Sequence, residues 1–202
     1  MRVVLATANP GKLGELQALL ADAGIEVLSQ VHFGIAPVPE TGRTFIENAL
    51  LKARHAAAST GLPAIADDSG LEVDALGGRP GVLSARYAGD NADDTANNAK
   101  LLAELRDVPE GQRTARYRCV LACVRDARDA APLICEGVWE GRIAEQPAGQ
   151  HGFGYDPLFL VGELAITAAQ LSPDLKNSLS HRGQALRQLL DRCRSVPGAL
   201  FP

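Results

Sequence analysis

The strongest constraint on this chain is the way strand-like and helix-like runs alternate from its first residues. Arg2 to Ala6 is a short apolar run that predicts a buried strand. It stops at Thr7-Ala8-Asn9-Pro10-Gly11-Lys12, where Asn9 can cap a helix and Pro10 takes its first position, at which a missing N–H costs nothing. Leu13, Leu16, Leu19 and Leu20 then recur at helical spacing, Gly24 ends the helix, and Ile25 to Leu28 predicts a second strand. A β-α-β opening of this kind needs a sheet with helices packed on it.

The rest of the chain keeps to that plan. Residues 29–43 are a polar loop containing Pro37 and Pro39, followed by Thr44-Phe45-Ile46-Glu47, the pattern of a capping box. The helix it opens carries Phe45, Ala49, Leu50 and Ala53 on one side, and Gly61 and Pro63 stop it. Ala64-Ile65-Ala66 predicts a short strand running into Asp67-Asp68-Ser69-Gly70, and Gly77-Gly78-Arg79-Pro80-Gly81 must be irregular. Asn91 or Asp93 starts a helix with Leu101, Leu102 and Leu105. Thr114–Val124 and Leu133–Ile143 predict an antiparallel pair of strands. A glycine-rich turn, Gly149 to Gly154, precedes a strand from Pro157 to Val161. Ser172-Pro173 caps a short helix, and His181 opens a last one with Leu186, Leu189 and Leu190 inward.

Composition limits what such a fold can do. Of 202 residues 46% are hydrophobic and 22% charged, which excludes a disordered or fibrous chain. The 20 Lys+Arg against 24 Asp+Glu leave a net charge of −4, so no bulk field holds a nucleic-acid backbone. A small anion can still be held by local lysines and backbone amides. No apolar run approaches the roughly 20 residues that span a bilayer, and Met1 to Leu5 is too short for a signal peptide, so the expected setting is the cytoplasm, without a membrane partner. Cys119, Cys123, Cys135 and Cys193 contain no Cys-x-x-Cys pair, which points to reduced, buried thiols rather than a zinc or redox site.

Four segments carry candidate chemistry. Thr7 to Lys12 lies between a strand and a helix N-terminus, where amides, the helix dipole and a lysine attract phosphate. It is not a P-loop, which needs glycine at position 6 and Ser or Thr after the lysine, where this chain has Ala6 and Leu13. An ordinary capped helix start with a solvated lysine explains the segment equally well. Asp67 and Asp68, at the end of a buried strand, must be paired with something cationic, and strand-end carboxylates are frequent Mg²⁺ ligands beside substrate phosphates. Strand alternation sends only one of them to a site. The alternative is a turn closed by their side chains. Glu40, in the proline-bounded loop, is a second carboxylate candidate. Gly152-Phe153-Gly154-Tyr155-Asp156-Pro157 can present an aromatic to a flat ligand, with Asp156 accepting from a base edge; a tight turn around a buried aromatic is the plainer reading. Lys176-Asn177-Ser178-Leu179-Ser180-His181-Arg182 gathers basic side chains at a helix entry, a pattern usually explained by a solvated face.

Together these segments resemble the Ham1/RdgB family of inosine/xanthosine triphosphate pyrophosphatases. The resemblance rests on Thr7 to Lys12, Pro39-Glu40-Thr41-Gly42, Thr44 to Ala49 with Lys52-Ala53, and Ala66 to Leu71. It continues through Gly77 to Tyr87, Gly152 to Pro157, and Lys176-Asn177 with Ser180-His181-Arg182, in family order from residue 7 to residue 182. Leu175 departs from it, standing where the family often has an acidic residue, with Asp174 one position earlier.

The resemblance implies a single α/β domain over residues 1–202: a long twisted mixed sheet with helices in two lobes around a central cleft, assembled as a homodimer. It implies an enzyme, a hydrolase cutting ITP, dITP or XTP between the α- and β-phosphates to a monophosphate and pyrophosphate with Mg²⁺, a house-cleaning role in nucleotide metabolism. Thr7, Ala8, Asn9, Pro10, Gly11 and Lys12 would cradle the triphosphate. Asp68 would be proton acceptor and metal ligand, with Glu40 a further metal ligand. Lys52, Ser69 and Arg86 would contact substrate. Phe153, Gly154, Tyr155, Asp156, Lys176, His181 and Arg182 would surround the base and sugar-phosphate. A donor such as Arg182 could bond the 6-keto oxygen of hypoxanthine or xanthine, whereas adenine presents an amino donor there. Two other functions share these residues: a nucleotide-binding sensor without turnover, and a pyrophosphatase for modified pyrimidine or methylated nucleotides.

Overall fold

In a computed structural model, residues 2–7, 9–21, 25–162 and 165–195 are described. They form a six-stranded sheet in the order β2-β1-β3-β4-β5-β6, made of β1 (Arg2–Leu5), β2 (Glu26–Ser29), β3 (Ala64–Val73), β4 (Thr114–Val124), β5 (Leu133–Ile143) and β6 (Phe159–Val161). β1 runs parallel to both β2 and β3, and β6 is antiparallel to β5, so the sheet is mixed, as expected. Five helices accompany it: α1 (Pro10–Ala21), α2 (Phe45–Thr60), α3 (Asp94–Glu104), α4 (Pro173–Leu179) and α5 (His181–Ser195). None of the described helices is long and apolar enough to cross a membrane.

Capping chemistry places the helix starts. The Asn9 side chain accepts from the Gly11 and Lys12 amides at 2.9 and 3.2 Å, opening α1 where the sequence predicts. The Thr44 hydroxyl accepts from the Glu47 amide while the Glu47 carboxylate accepts from the Thr44 amide, a complete capping box, and Gly61 closes α2 at φ 68°. Of the two candidate starts for α3, Asp93 is the cap. Ser172 caps α4, with Pro173 at its head. Gly24, the side chains of Leu19 and Leu20, and residues 196–202 lie outside the described residues.

Several strand bounds are corrected. β1 ends at Leu5 rather than Ala6, β2 runs from Glu26 to Ser29 rather than from Ile25 to Leu28, and β6 begins at Phe159 rather than Pro157. β3 is ten residues long rather than a short strand ending at Ala66, so Asp67, Asp68 and Ser69 sit inside a strand and not in a turn. Hydrogen bonding carries the strand through them because every charge there meets a partner. The segment 77–81 is irregular as predicted, with Gly77, Gly78 and Gly81 at positive φ and a cis peptide between Arg79 and Pro80.

The chain divides into two compact units. The first takes the described residues of 1–68, 119–137 and 182–202, and its core is Val3, Leu5, Leu16, Ile65, Leu121 and Leu186 with their neighbours. Cys119, Cys123 and Cys135 are buried in that core, Cys193 is half-buried, and none of the four forms a disulfide, as expected. Burial pushes the Cys123 thiol far up, and pushes Cys135 to about 11. The second unit takes residues 69–118 and 138–181, with Leu71, Leu101, Leu105, Tyr117, Trp139 and Phe159 at its centre.

The capping box yields a stability prediction. Thr44→Ala removes one of its two reciprocal bonds and should lower unfolding stability by about 1 kcal/mol. In a thermal melt that is a drop of about 2–4 °C for a chain of this size. An unchanged melting temperature would show that the box contributes nothing.

Candidate active site

In the first unit the site grows from two adjacent aspartates of β3. Asp67 and Asp68 are 1% and 5% exposed, and burying carboxylates this deeply is unfavourable unless cations accompany them. Strand alternation sends them to different partners. The Lys12 ammonium, from the first turn of α1, is 2.8 Å from Asp67 Oδ1, and Arg182 Nε, from the first turn of α5, is 3.4 Å from Asp67 Oδ2. Asp68 Oδ1 instead accepts from Lys52 Nζ of α2 at 2.8 Å, and the same ammonium donates to Glu40 Oε1 at 2.6 Å.

The electrostatics separate the two carboxylates. Burial acts to raise both. At Asp67 the charges of Lys12, Arg182 and Lys52 overcome burial and hold the carboxyl well below the usual range. At Asp68 burial prevails over Lys52, with Glu40 adding to it, and the carboxyl stands above its ordinary value. Lys52 is raised in turn: burial acts against its charge, but Asp68, Asp67 and Glu40 outweigh burial. The result is one permanently ionised aspartate and one tuned upward, a division seen where acid–base groups work. Asp68 Oδ2 is buried and has no hydrogen-bond partner.

The loop carrying Glu40 is held from α2. The Gly42 amide donates to Asn48 Oδ1 at 2.8 Å, and a Cβ on Gly42 would sit 2.6 Å from that oxygen, so only glycine fits. Asn48 is fully buried and was not singled out by sequence; Glu-Asn-Ala inside a helix gives no sign of a bond back to the preceding loop.

At the start of α1, Thr7 is buried and its hydroxyl accepts from the Asn9 amide at 3.2 Å. The Gly11 and Lys12 amides, offered to phosphate by the sequence, are engaged by the Asn9 cap. Pro10 is the first residue of the helix, and Ala8 lies outside the described residues.

The second unit holds the other candidates. Asp156 is buried, and its oxygens are occupied: Lys176 Nζ donates to Oδ2 at 2.7 Å, the Phe153 amide to Oδ2 at 2.9 Å, and the Tyr117 hydroxyl to Oδ1 at 3.3 Å. Asp156 thus organises the loop, a use the sequence did not suggest. Gly152 is at φ 78°, and a Cβ there would run into Asp156 Oδ2. The Lys176 ammonium lies 4.8 Å from the centre of the Phe153 ring. Gly154 is clamped by α3, its amide donating to Asp94 Oδ2 at 2.6 Å and its carbonyl accepting from Asn98 Nδ2 at 2.8 Å. The Tyr155 hydroxyl donates to the Ser84 carbonyl at 2.8 Å. His181, the first residue of α5, lies flat on Tyr117 at 4.7 Å. Ser69 is half-buried in β3, and Arg86 ends the 3-10 segment Gly81–Arg86.

The donor set also bears on a divalent cation. Among the described residues no three His, Cys, Asp or Glu side chains are grouped as metal ligands. Mg²⁺ asks for less: one or two carboxylates with substrate phosphates and water completing its shell. Glu40 and Asp68, converging on one ammonium, and the orphaned Asp68 Oδ2 fit that demand.

The depressed Asp67 gives a pH prediction. Because its folded-state pKa lies below the unfolded value, its contribution to stability is present above ordinary carboxylate pH and is lost as pH falls below about 5. Asp67→Asn should melt lower than the wild type at pH 7 and lose less on acidification, so that the two melting curves converge. Curves that stay parallel down to pH 3 would remove this linkage.

This chain is similar to known proteins over nearly all of its length. The model of the Ham1 family matches residues 3–192. A dITP/XTP pyrophosphatase of Yersinia pseudotuberculosis is 59% identical over 195 residues, covering 96% of this chain and 99% of the relative. One of Photorhabdus laumondii is 57% identical over the same share of both. Among solved structures, a HAM1 protein from Coxiella burnetii is 50% identical with a TM-score of 0.91, covering 97% of this chain and all of that one. The Staphylococcus aureus Ham1 protein is 40% identical with a TM-score of 0.85, over 96% and 99%. Both the motif order and the mixed sheet are therefore those of a known group, and this chain belongs to the Ham1 family.

Proposed function

We propose that this protein hydrolyses the non-canonical purine nucleoside triphosphates ITP, dITP and XTP to the monophosphate and pyrophosphate, keeping them out of the nucleotide pool. The observation that carries the reading is the divided aspartate pair of β3, with Asp67 held ionised between Lys12 and Arg182 and Asp68 tuned upward beside Lys52 and Glu40. The names of the relatives, dITP/XTP pyrophosphatases at 57–59% identity over nearly the whole chain, support it.

In this reading each group has a defined task. Lys12 carries positive charge that phosphate oxygens need as negative charge builds in the transition state. It is already fixed on Asp67, so little reorganisation accompanies the reaction. Thr7 to Lys12 receive the triphosphate, with Lys52, Ser69 and Arg86 as further contacts. Lys52 holds Asp68 Oδ1 and Glu40 together, which leaves Asp68 Oδ2 to accept a proton from the attacking water. Glu40 and Asp68 would hold Mg²⁺, which would supply Lewis-acid charge to the phosphates. Phe153 offers a face to the base, with Gly154, Tyr155 and Asp156 shaping its loop, and Lys176, His181 and Arg182 supply donors for a 6-keto edge. A homodimer and a cytoplasmic setting complete the reading, and both rest on the family resemblance.

The direct test is incubation with ITP, dATP or dGTP and Mg²⁺, followed by phosphorus NMR. IMP with pyrophosphate from ITP, and little product from the others, is expected. Orthophosphate with IDP, or ITP bound without turnover, would overturn the reading.

Three substitutions check the roles. Asp68→Asn should keep the fold and lose at least about 100-fold in kcat. Lys12→Ala should weaken all triphosphates alike, whereas Arg182→Ala should harm 6-keto purines most. A uniform loss across bases for Arg182→Ala would move it from base recognition to phosphate binding.

A further inference from the structure

Tyr117 lies in the middle of β4, among alternating residues that sequence marks only as strand, and no site role attaches to it there. In the structure it is 7% exposed and makes two contacts of different kinds with the groups assigned to the base. Its ring is stacked on the His181 imidazole, with centroids 4.7 Å apart and planes 7° apart. Its hydroxyl donates to Asp156 Oδ1 at 3.3 Å, while Asp156 Oδ2 takes both the Lys176 ammonium and the Phe153 amide.

Packing alone does not explain this side chain. Tyr117 is part of an apolar cluster with Trp139 and Phe159, at 6.4 and 4.6 Å between ring centres. A phenylalanine would fill that space without carrying a hydroxyl into it, and a buried hydroxyl is unfavourable unless it finds an acceptor. Here the acceptor is a carboxylate that already anchors a lysine and the aromatic loop. The stack blocks rotation of the His181 ring about its own bond, and the hydrogen bond fixes the carboxylate on which Lys176 rests. Trp139 supports the arrangement from 6.5 Å, nearly parallel to His181.

We infer that Tyr117 is a positioning residue for purine selection: one side chain of the sheet sets the plane of His181 and, through Asp156, the place of the Lys176 ammonium. The inference rests on the purine triphosphate reading of this site. Tyr117 touches no reacting atom. It acts on how well the donors line up with a 6-keto base, so its loss falls on KM and on base preference, while kcat is carried by groups elsewhere in the chain.

The test uses the full-length protein, with kcat and KM for ITP and dGTP and a melting temperature for each variant. Tyr117→Phe keeps the stack and removes the bond to Asp156. It should melt near the wild type and raise KM for ITP by about 3- to 10-fold, the range of one net hydrogen bond, with kcat little changed. Tyr117→Leu removes both contacts and should narrow the ITP/dGTP preference further, by about 10-fold or more. Val161→Ala, a core change in the same cluster, is the packing control: it should lower the melting temperature and leave the preference alone.

An active wild type whose Tyr117 variants keep both KM and preference would overturn the assignment. So would losses in those variants that simply follow melting temperature, with Val161→Ala on the same line. A wild type inactive on ITP would instead overturn the underlying reading of the site, and the Tyr117 assignment with it.

Discussion

The first unit depends on the electrostatic settlement around two consecutive buried carboxylates. A strand interior does not accommodate an Asp-Asp pair on its own, because the cost of stripping water from both far exceeds what backbone bonding returns. The arrangement survives because three helices bring cations to β3 from distant parts of the chain: Lys12 from α1, Lys52 from α2 and Arg182 from α5. These contacts do more than neutralise charge. They lock the N-terminal turns of α1 and α5 onto the strand, so the same interactions that let the carboxylates be buried also place Lys12 and Lys52, two charged groups of the candidate phosphate site. Fold and chemistry share one set of bonds there, and a change at Asp67 must disturb both.

How much of this can be read from sequence follows from how local each cause is. Caps act within four residues, and Asn9, Thr44 with Glu47, and Ser172 all mark real helix starts. Long apolar strands announce themselves too, and β4 and β5 fall where alternation puts them. The length of β3 does not, because Asp-Asp-Ser-Gly has the composition of a turn. What turns it into strand is a set of cations up to 115 residues away, and no local pattern contains that. For the same reason the need for cations beside Asp67 and Asp68 is legible in the sequence, but their identity is not. Strand alternation correctly implied that the two aspartates part company, but it could not say which cations each would meet.

The second unit shows the opposite limit, where the residues are legible and their roles are not. Phe153, Asp156, Lys176 and His181 are all visible as candidates, and the structure gathers them. Yet Asp156, which sequence offers as an acceptor for a base edge, spends its oxygens on Tyr117, Lys176 and the Phe153 amide. The glycine at 152 then has a specific cause: it gives the carboxylate room to turn back on its own loop. Tyr117 is hidden because a tyrosine in an apolar strand is ordinary. Only the partner of its hydroxyl distinguishes it.

The contrast between the two aspartate clusters bears on how selectivity and turnover can be divided. Around Asp67 and Asp68 the partners are charges at the ends of long flexible side chains, and such groups recognise phosphate whatever base it carries. Around Asp156 the one charged partner, Lys176, is joined by the Tyr117 hydroxyl and the Phe153 amide, and rings pack around them, so packing adds to attraction in fixing the geometry, and fixed geometry is what separates a keto from an amino edge. A hydrogen-bonding site rejects the wrong base by leaving its own buried donors unpaired, and that penalty is realised only if the donors cannot swing away to other partners. On the purine triphosphate reading proposed above, rigidity at Lys176 and His181 is therefore part of the discrimination, and the aromatic cluster of Tyr117, Trp139 and Phe159 belongs to the base site together with the groups it positions.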